Sequence, residues 1–99
     1  MLESTITNNI RKYLATVPGL FFWKTHGAQF GKAGIPDIII CYHGKFIALE
    51  VKASGRMPTA LQSNTIGKIR KAGGIAYVVY SLREVQEIIA VHGGAPCKT

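Results

Sequence analysis

The sequence predicts an α/β chain of the α+β kind: a small mixed sheet flanked by helices, in the order helix, three strands, helix, strand, helix. Three observations carry this expectation. Two runs rich in β-branched and aromatic residues, Asp37–Tyr42 and Lys45–Lys52, are separated only by His43-Gly44, which reads as an antiparallel hairpin. Thr59-Ala60-Leu61-Gln62 and Ser81-Leu82-Arg83-Glu84 both have the form of a capping box, so a helix opens at each. The first of these helices lies between the third strand and a fourth, Ile75–Tyr80, and a strand–helix–strand connection of this kind is a crossover that makes the sheet mixed.

The remaining elements follow in chain order. Leu2, Ile6, Ile10, Tyr13, Leu14 and Val17 recur at helical spacing, predicting an amphipathic helix from Leu2 to about Thr16 that Pro18-Gly19 ends. Leu20–Thr25 is an aromatic-rich first strand. Residues 27–34 form a glycine-rich loop that fails as a phosphate-binding P-loop: three residues, not four, separate Gly27 from Gly31, and Ala33 follows Lys32 where Ser or Thr is needed. The loop is expected to face a ligand, with Lys32 as a backbone contact. The helix opened at Thr59 runs to about Ala72, before Gly73-Gly74, and the last helix runs to about His92, where Gly93-Gly94 stops it and leaves a frayed tail.

Composition narrows the function classes. The 99 residues suit one domain, and 47% of them are apolar. No apolar run reaches the ~18 residues of a membrane span, and no basic-then-apolar leader opens the chain, so a soluble, intracellular or cytoplasmic protein without a membrane partner is expected. Cys41 in a core strand and Cys97 in a polar tail predict free thiols. Twelve Lys and Arg against five Asp and Glu give a net charge of +7, which favours a polyanionic partner. Lys24, Lys32, Arg56 and Lys68 are the candidate phosphate contacts, and Lys68, Arg70 and Lys71 spread around their helix as general attraction rather than base readout.

Three of the five acids converge on one place. Glu50 and Lys52 share a face of the third strand, ~6.6 Å apart along it. Asp37, at the start of the second strand, falls opposite them across the hairpin, preceded by Gly34-Ile35-Pro36. Glu3 lies one turn before Ile6 and Thr7, on or beside the face of the first helix that packs on the sheet. Charges at the ends of adjacent strands are unfavourable to bury unless paired or ligated. An ion pair closing the sheet would explain Glu50 and Lys52, a helix dipole Glu3, and a capping box Gln62, each alone; their joint occurrence favours a functional site.

Together, Glu3, Gly34-Ile35-Pro36-Asp37, Glu50-Val51-Lys52 and Gln62 resemble the motifs of the PD-(D/E)XK nuclease superfamily, and within it a stand-alone VRR-NUC domain. The resemblance spans about two-thirds of the chain and implies the same αβββαβα order. It implies that Asp37 and Glu50 bind Mg²⁺ or Mn²⁺, with the Val51 carbonyl as a further ligand and Glu3 completing or supporting the site. Lys52 would orient or activate the attacking water, and Gln62 would position it or the substrate. The expected activity is metal-dependent, structure-specific endonucleolytic cleavage of DNA, above all branched DNA such as Holliday junctions, by a homodimer. A catalytically inactive nucleic-acid-binding module of the same fold, and a structural protein with an acid–lysine cluster, are the competing expectations.

Overall fold

A computed structural model describes residues 1–25 and 34–93. The glycine-rich segment with Lys32, together with His26, Cys97 and the expected tail, lies outside the described residues. The elements are α1 (Glu3–Leu14), β1 (Leu20–Lys24), β2 (Ile38–Tyr42), β3 (Lys45–Val51), α2 (Ala60–Lys71), β4 (Ile75–Val79) and α3 (Leu82–His92). This is the expected order; α1 ends two residues before the expected Thr16, whereas α2 lies between its Thr59 and Ala72 caps and α3 runs from its Ser81 cap to His92 as expected.

The four strands lie in the order β1-β2-β3-β4, antiparallel for the first two pairings and parallel for the third. Tyr42 pairs with Lys45, so the hairpin turn is His43-Gly44 alone. Both turn residues have positive φ, 51° and 75°. A right-handed sheet favours this primed two-residue turn, and Gly44 adopts it without strain. The register continues one step beyond β2, so Asp37 stands opposite Glu50.

Alternation along the strands gives the two faces different contents. Ile38, Ile40, Tyr42, Ile47, Leu49 and Val51 point to one face and pack with Ile6, Ile10 and Leu14 of α1 and Val85 and Ile89 of α3. On the opposite face, Ile39, Ala48 and Ala76 meet α2 through Ile66 in a much smaller cluster. Cys41 alternates onto this second face and is exposed: it is a free thiol in a core strand, but not a core side chain.

Local chemistry explains the helix boundaries and adds ties that the sequence does not signal. At α2 the capping box is complete. At α3 the Ser81 hydroxyl accepts from the Glu84 N–H, but the Glu84 carboxylate reaches one residue further back than a capping box requires and accepts from the Tyr80 N–H, at 2.9 Å. Arg70 is exposed on α2 and also makes a structural tie. Its guanidinium donates twice to the Ala76 carbonyl, at 3.0 and 2.7 Å, tying the end of α2 to β4. His92 is half-buried beside Tyr77, whose hydroxyl lies 3.5 Å from Nε2, and its carbonyl accepts from Lys45 Nζ.

Candidate active site

The Gly34-Ile35-Pro36-Asp37 turn is held at three points. Gly34 has φ 85°, and a Cβ built there would lie 2.8 Å from the backbone carbonyl of Leu61, so the glycine serves both the turn and the close approach of α2. Thr25, just past β1, donates through Oγ1 to the Pro36 carbonyl at 2.8 Å and through its N–H to the Asp37 carbonyl at 2.8 Å. The Asp37 side chain then accepts from the Val51 N–H, at 2.8 Å from Oδ2. Asp37 is thereby fixed across the end of the hairpin against the peptide that follows Glu50.

Glu50 projects from β3 toward α2 and is 2% exposed. Its Oε2 accepts from Gln62 Nε2 at 3.1 Å and lies 3.7 Å from Lys52 Nζ. Its Oε1 is buried with no hydrogen-bond donor. Burial above all, and then the charge of the neighbouring Asp37, push the Glu50 pKa up to about 8; Lys52 pulls the other way without overcoming them. Lys52 itself is 8% exposed, and its N–H extends the parallel pairing by donating to the Val79 carbonyl at 3.0 Å. Glu50 and Lys52 therefore do share a face, as strand alternation requires.

Gln62 does two jobs with one amide. Oε1 accepts from the Thr59 N–H at 2.8 Å as the reciprocal arm of the capping box, and Nε2 holds Glu50. Thr-x-x-Gln in the sequence signals only the first job.

Glu3 arrives from the other side. Its helix packs on the face opposite Glu50, and its carboxylate comes round the end of the sheet to accept from the Ala53 N–H at 3.2 Å, three residues beyond Glu50. Among the described residues no three His, Cys, Asp or Glu side chains gather closely enough to hold a metal as a group. The close carboxylate pair is Asp37 with Glu50.

That pair is suited to a hard divalent cation. Two carboxyls are held against each other, one buried oxygen lacks a donor, and burial and mutual repulsion keep a proton on Glu50 that a cation would displace. Of the candidate phosphate contacts, Lys24 is exposed at the end of β1 with Nζ donating to the Thr25 carbonyl, Arg56 is exposed in the turn after β3, and Lys68 is exposed on α2. Thr25 is the positioning residue that sequence reasoning missed; a threonine ending a strand carries no local signal of a partner eleven residues away.

No protein-family model and no curated protein sequence matches the chain. Among solved structures, one described as a VRR_NUC domain superposes with a TM-score of 0.74 at 24% identity, covering 88% of this chain and 92% of that one. Another, described as a VRR_NUC domain protein, gives a TM-score of 0.74 at 23% identity, over 90% and 85% of the two chains. The chain has the fold of these domains.

Proposed function

We propose that this chain, with the fold of VRR_NUC domains, is a divalent-metal-dependent endonuclease that hydrolyses phosphodiester bonds in branched DNA such as a four-way junction. The observation that carries the reading is the Asp37–Glu50 pair with its buried, donor-less Glu50 oxygen, beside Lys52 on a strongly basic chain. Lys52 and Gln62 both engage Oε2, so the ion pair does not account for the buried Oε1, which is left for a further ligand.

Asp37, Glu50 and the Val51 carbonyl would hold Mg²⁺ or Mn²⁺, with Glu3 supporting the site from the Ala53 amide. When bound, such an ion neutralises charge developing on the scissile phosphate and lowers the pKa of a water. The residues of the chain do the remaining work. Asp37 is kept in place by the Val51 amide, and Gln62 fixes the orientation of Glu50. Lys52, a nearly buried ammonium, would orient the attacking water and add positive charge next to the phosphate. Lys24, Arg56 and Lys68, and Lys32 outside the described residues, would draw in the phosphate backbone. The basic surface offers few side chains for base readout, which favours recognition of DNA shape over sequence. Cutting two strands symmetrically requires two active sites, so a homodimer is part of the proposal.

The test is cleavage of a labelled four-way junction, a linear duplex and a splayed arm, with Mg²⁺, Mn²⁺ or EDTA, by wild type and Asp37→Ala. Metal-dependent paired cuts in the junction that vanish in the variant are expected. Binding of all three substrates without cleavage in any metal would overturn the catalytic reading in favour of a silent binding module.

A further inference from the structure

Two cavities border α3, and their linings differ in charge. One, against β4, is lined by Tyr77, Glu84 and Glu87, whose carboxylates disfavour an anion. The other, of about 360 Å³, opens where α1, the turn after β3 and the start of α3 meet. Ile6, Tyr80 and Leu82 give it apolar walls, while Asn9, Ser54 and Arg83 bring an amide, a hydroxyl and a guanidinium to it. None of the hydrogen bonds or ion pairs of the described residues engages those three side chains, and no acid is among the described residues that line the cavity. Concave, largely apolar space with a few unpaired polar groups is the usual form of a small-ligand site. Tyr80 is fixed at both ends: its hydroxyl donates to the Arg56 carbonyl at 3.1 Å and its N–H to the Glu84 carboxylate at 2.9 Å. This wall is in place before a ligand arrives.

We propose that this cavity seats one unpaired nucleotide of a DNA strand, with its base against the Tyr80 and Leu82 walls and its phosphate on Arg83. The lining selects that occupant. Arg83 offers a planar fork of donors suited to phosphate, and it does so on a chain of net charge +7. The Asn9 amide carries a donor and an acceptor side by side, so it can meet the edge of any of the four bases without choosing among them. Aromatic and apolar walls suit the face of a base, which every nucleotide has. A volume of about 360 Å³ lies at the lower end of the ~300–1,000 Å³ of small-molecule sites, enough for one nucleotide and too little for a stacked pair.

Position ties the cavity to the acid pair. Ser54 stands two residues beyond Lys52, and the Ala53 amide between them is held by Glu3. Glu50 projects from the same end of the sheet toward α2, whereas the cavity opens toward α1 and α3, so a strand that crosses the sheet end reaches both. Drawing a base out of a duplex costs a few kcal/mol of pairing and stacking, and least where the base is already unpaired. A nucleotide seat beside the acids therefore favours DNA with unpaired nucleotides at a branch, without reading sequence. This deepens the nuclease proposal, on which it rests for the choice of DNA as the polyanion, by giving structure specificity a physical source.

The experiment measures binding in EDTA, so its outcome does not depend on whether the chain cuts DNA. Three labelled probes share one sequence: a fully paired duplex, the duplex with one bulged nucleotide, and the bulged duplex whose extra nucleotide lacks its base. Fluorescence anisotropy at low salt should show wild type binding the intact bulge about ten-fold tighter than either other probe. Ser54→Trp, on an exposed turn, fills the cavity and should bind all three alike. Lys68→Gln, a change on α2, should weaken all three by one factor and keep the preference. Should Ser54→Trp unfold, Asn9→Leu repeats the test from α1. Equal affinity for the bulge with and without its base overturns the proposal. So does a preference that survives the filled cavity, because the base then sits elsewhere. Binding of a free deoxynucleoside monophosphate with no preference among the probes also overturns it, and assigns the cavity to a free nucleotide. The expected preference without cleavage in Mg²⁺ or Mn²⁺ upholds this proposal and sinks the nuclease reading; cleavage without the preference does the reverse.

Discussion

The two faces of the sheet divide stability from chemistry. Toward α1 and α3 the face carries twelve buried side chains in one cluster, drawn from β2, β3 and β4 and from the two helices. Toward α2 the buried cluster has four members, and the same layer contains Glu50 and Lys52. The second face can carry buried charge because the first supplies most of the apolar burial. A site of hydrogen-bonded acids then becomes an affordable local defect in a sheet held from behind.

The sharpest way to break this comparison is to cut into the first face. Leu14 is fully buried at the end of α1, and Leu14→Ala should lower stability by about 2–5 kcal/mol, read by urea unfolding. Lys52→Met on the second face should behave in the opposite sense: a fold retained, and junction cleavage reduced by about 10²–10³-fold as positive charge beside the phosphate is lost. A Lys52 variant as unstable as Leu14→Ala would show that the second face is structural too.

These assignments also show where the sequence was legible. Local signals carried the fold: His43-Gly44 set the hairpin register, and Thr59 and Ser81 set two helix starts, because turns and caps are decided within four residues. The hairpin also placed Asp37 opposite Glu50, since a two-residue turn leaves one register. What crosses between layers was not readable. Glu3 has the right periodicity to reach the sheet, yet nothing in it tells that its helix packs on the face opposite Glu50. Arg70 resembles its neighbours Lys68 and Lys71 until α2 and β4 are brought together. Cys41 is a strand residue whose exposure depends on how far α2 extends over the sheet.

A pH dependence sharpens the contrast further. In the folded chain Glu50 keeps its proton to about pH 8, whereas an unfolded glutamate loses it near 4.5. Between those values the folded state binds more protons than the unfolded state, so metal-free stability falls as pH rises and levels off above 8. Glu50→Gln removes that titration. In EDTA, wild type should therefore lose stability relative to Glu50→Gln from pH 5 to 8, by an amount on the order of 1–3 kcal/mol. Parallel stability curves for the two proteins would mean that Glu50 is ionised in the fold. Added Mn²⁺ should reverse the slope in wild type alone, since binding favours the unprotonated carboxylate.

The smallest effect tests the point at which the two roles of α2 meet. Thr59→Ala removes the acceptor for the Gln62 N–H and should lower stability by about 1 kcal/mol, a cap-sized loss. Gln62→Glu keeps an acceptor for the Thr59 N–H, as a capping box allows, but replaces the donor to Glu50 with a third carboxylate. If capping is all that Gln62 does, Gln62→Glu leaves both stability and cleavage near wild type and Thr59→Ala is the worse variant. If the same amide also orients Glu50, the order inverts for cleavage: Thr59→Ala loses a few-fold at most, and Gln62→Glu loses more at a smaller change in stability at low pH. Measuring both quantities on both variants separates a helix that merely covers the second face from one that holds its acid in place.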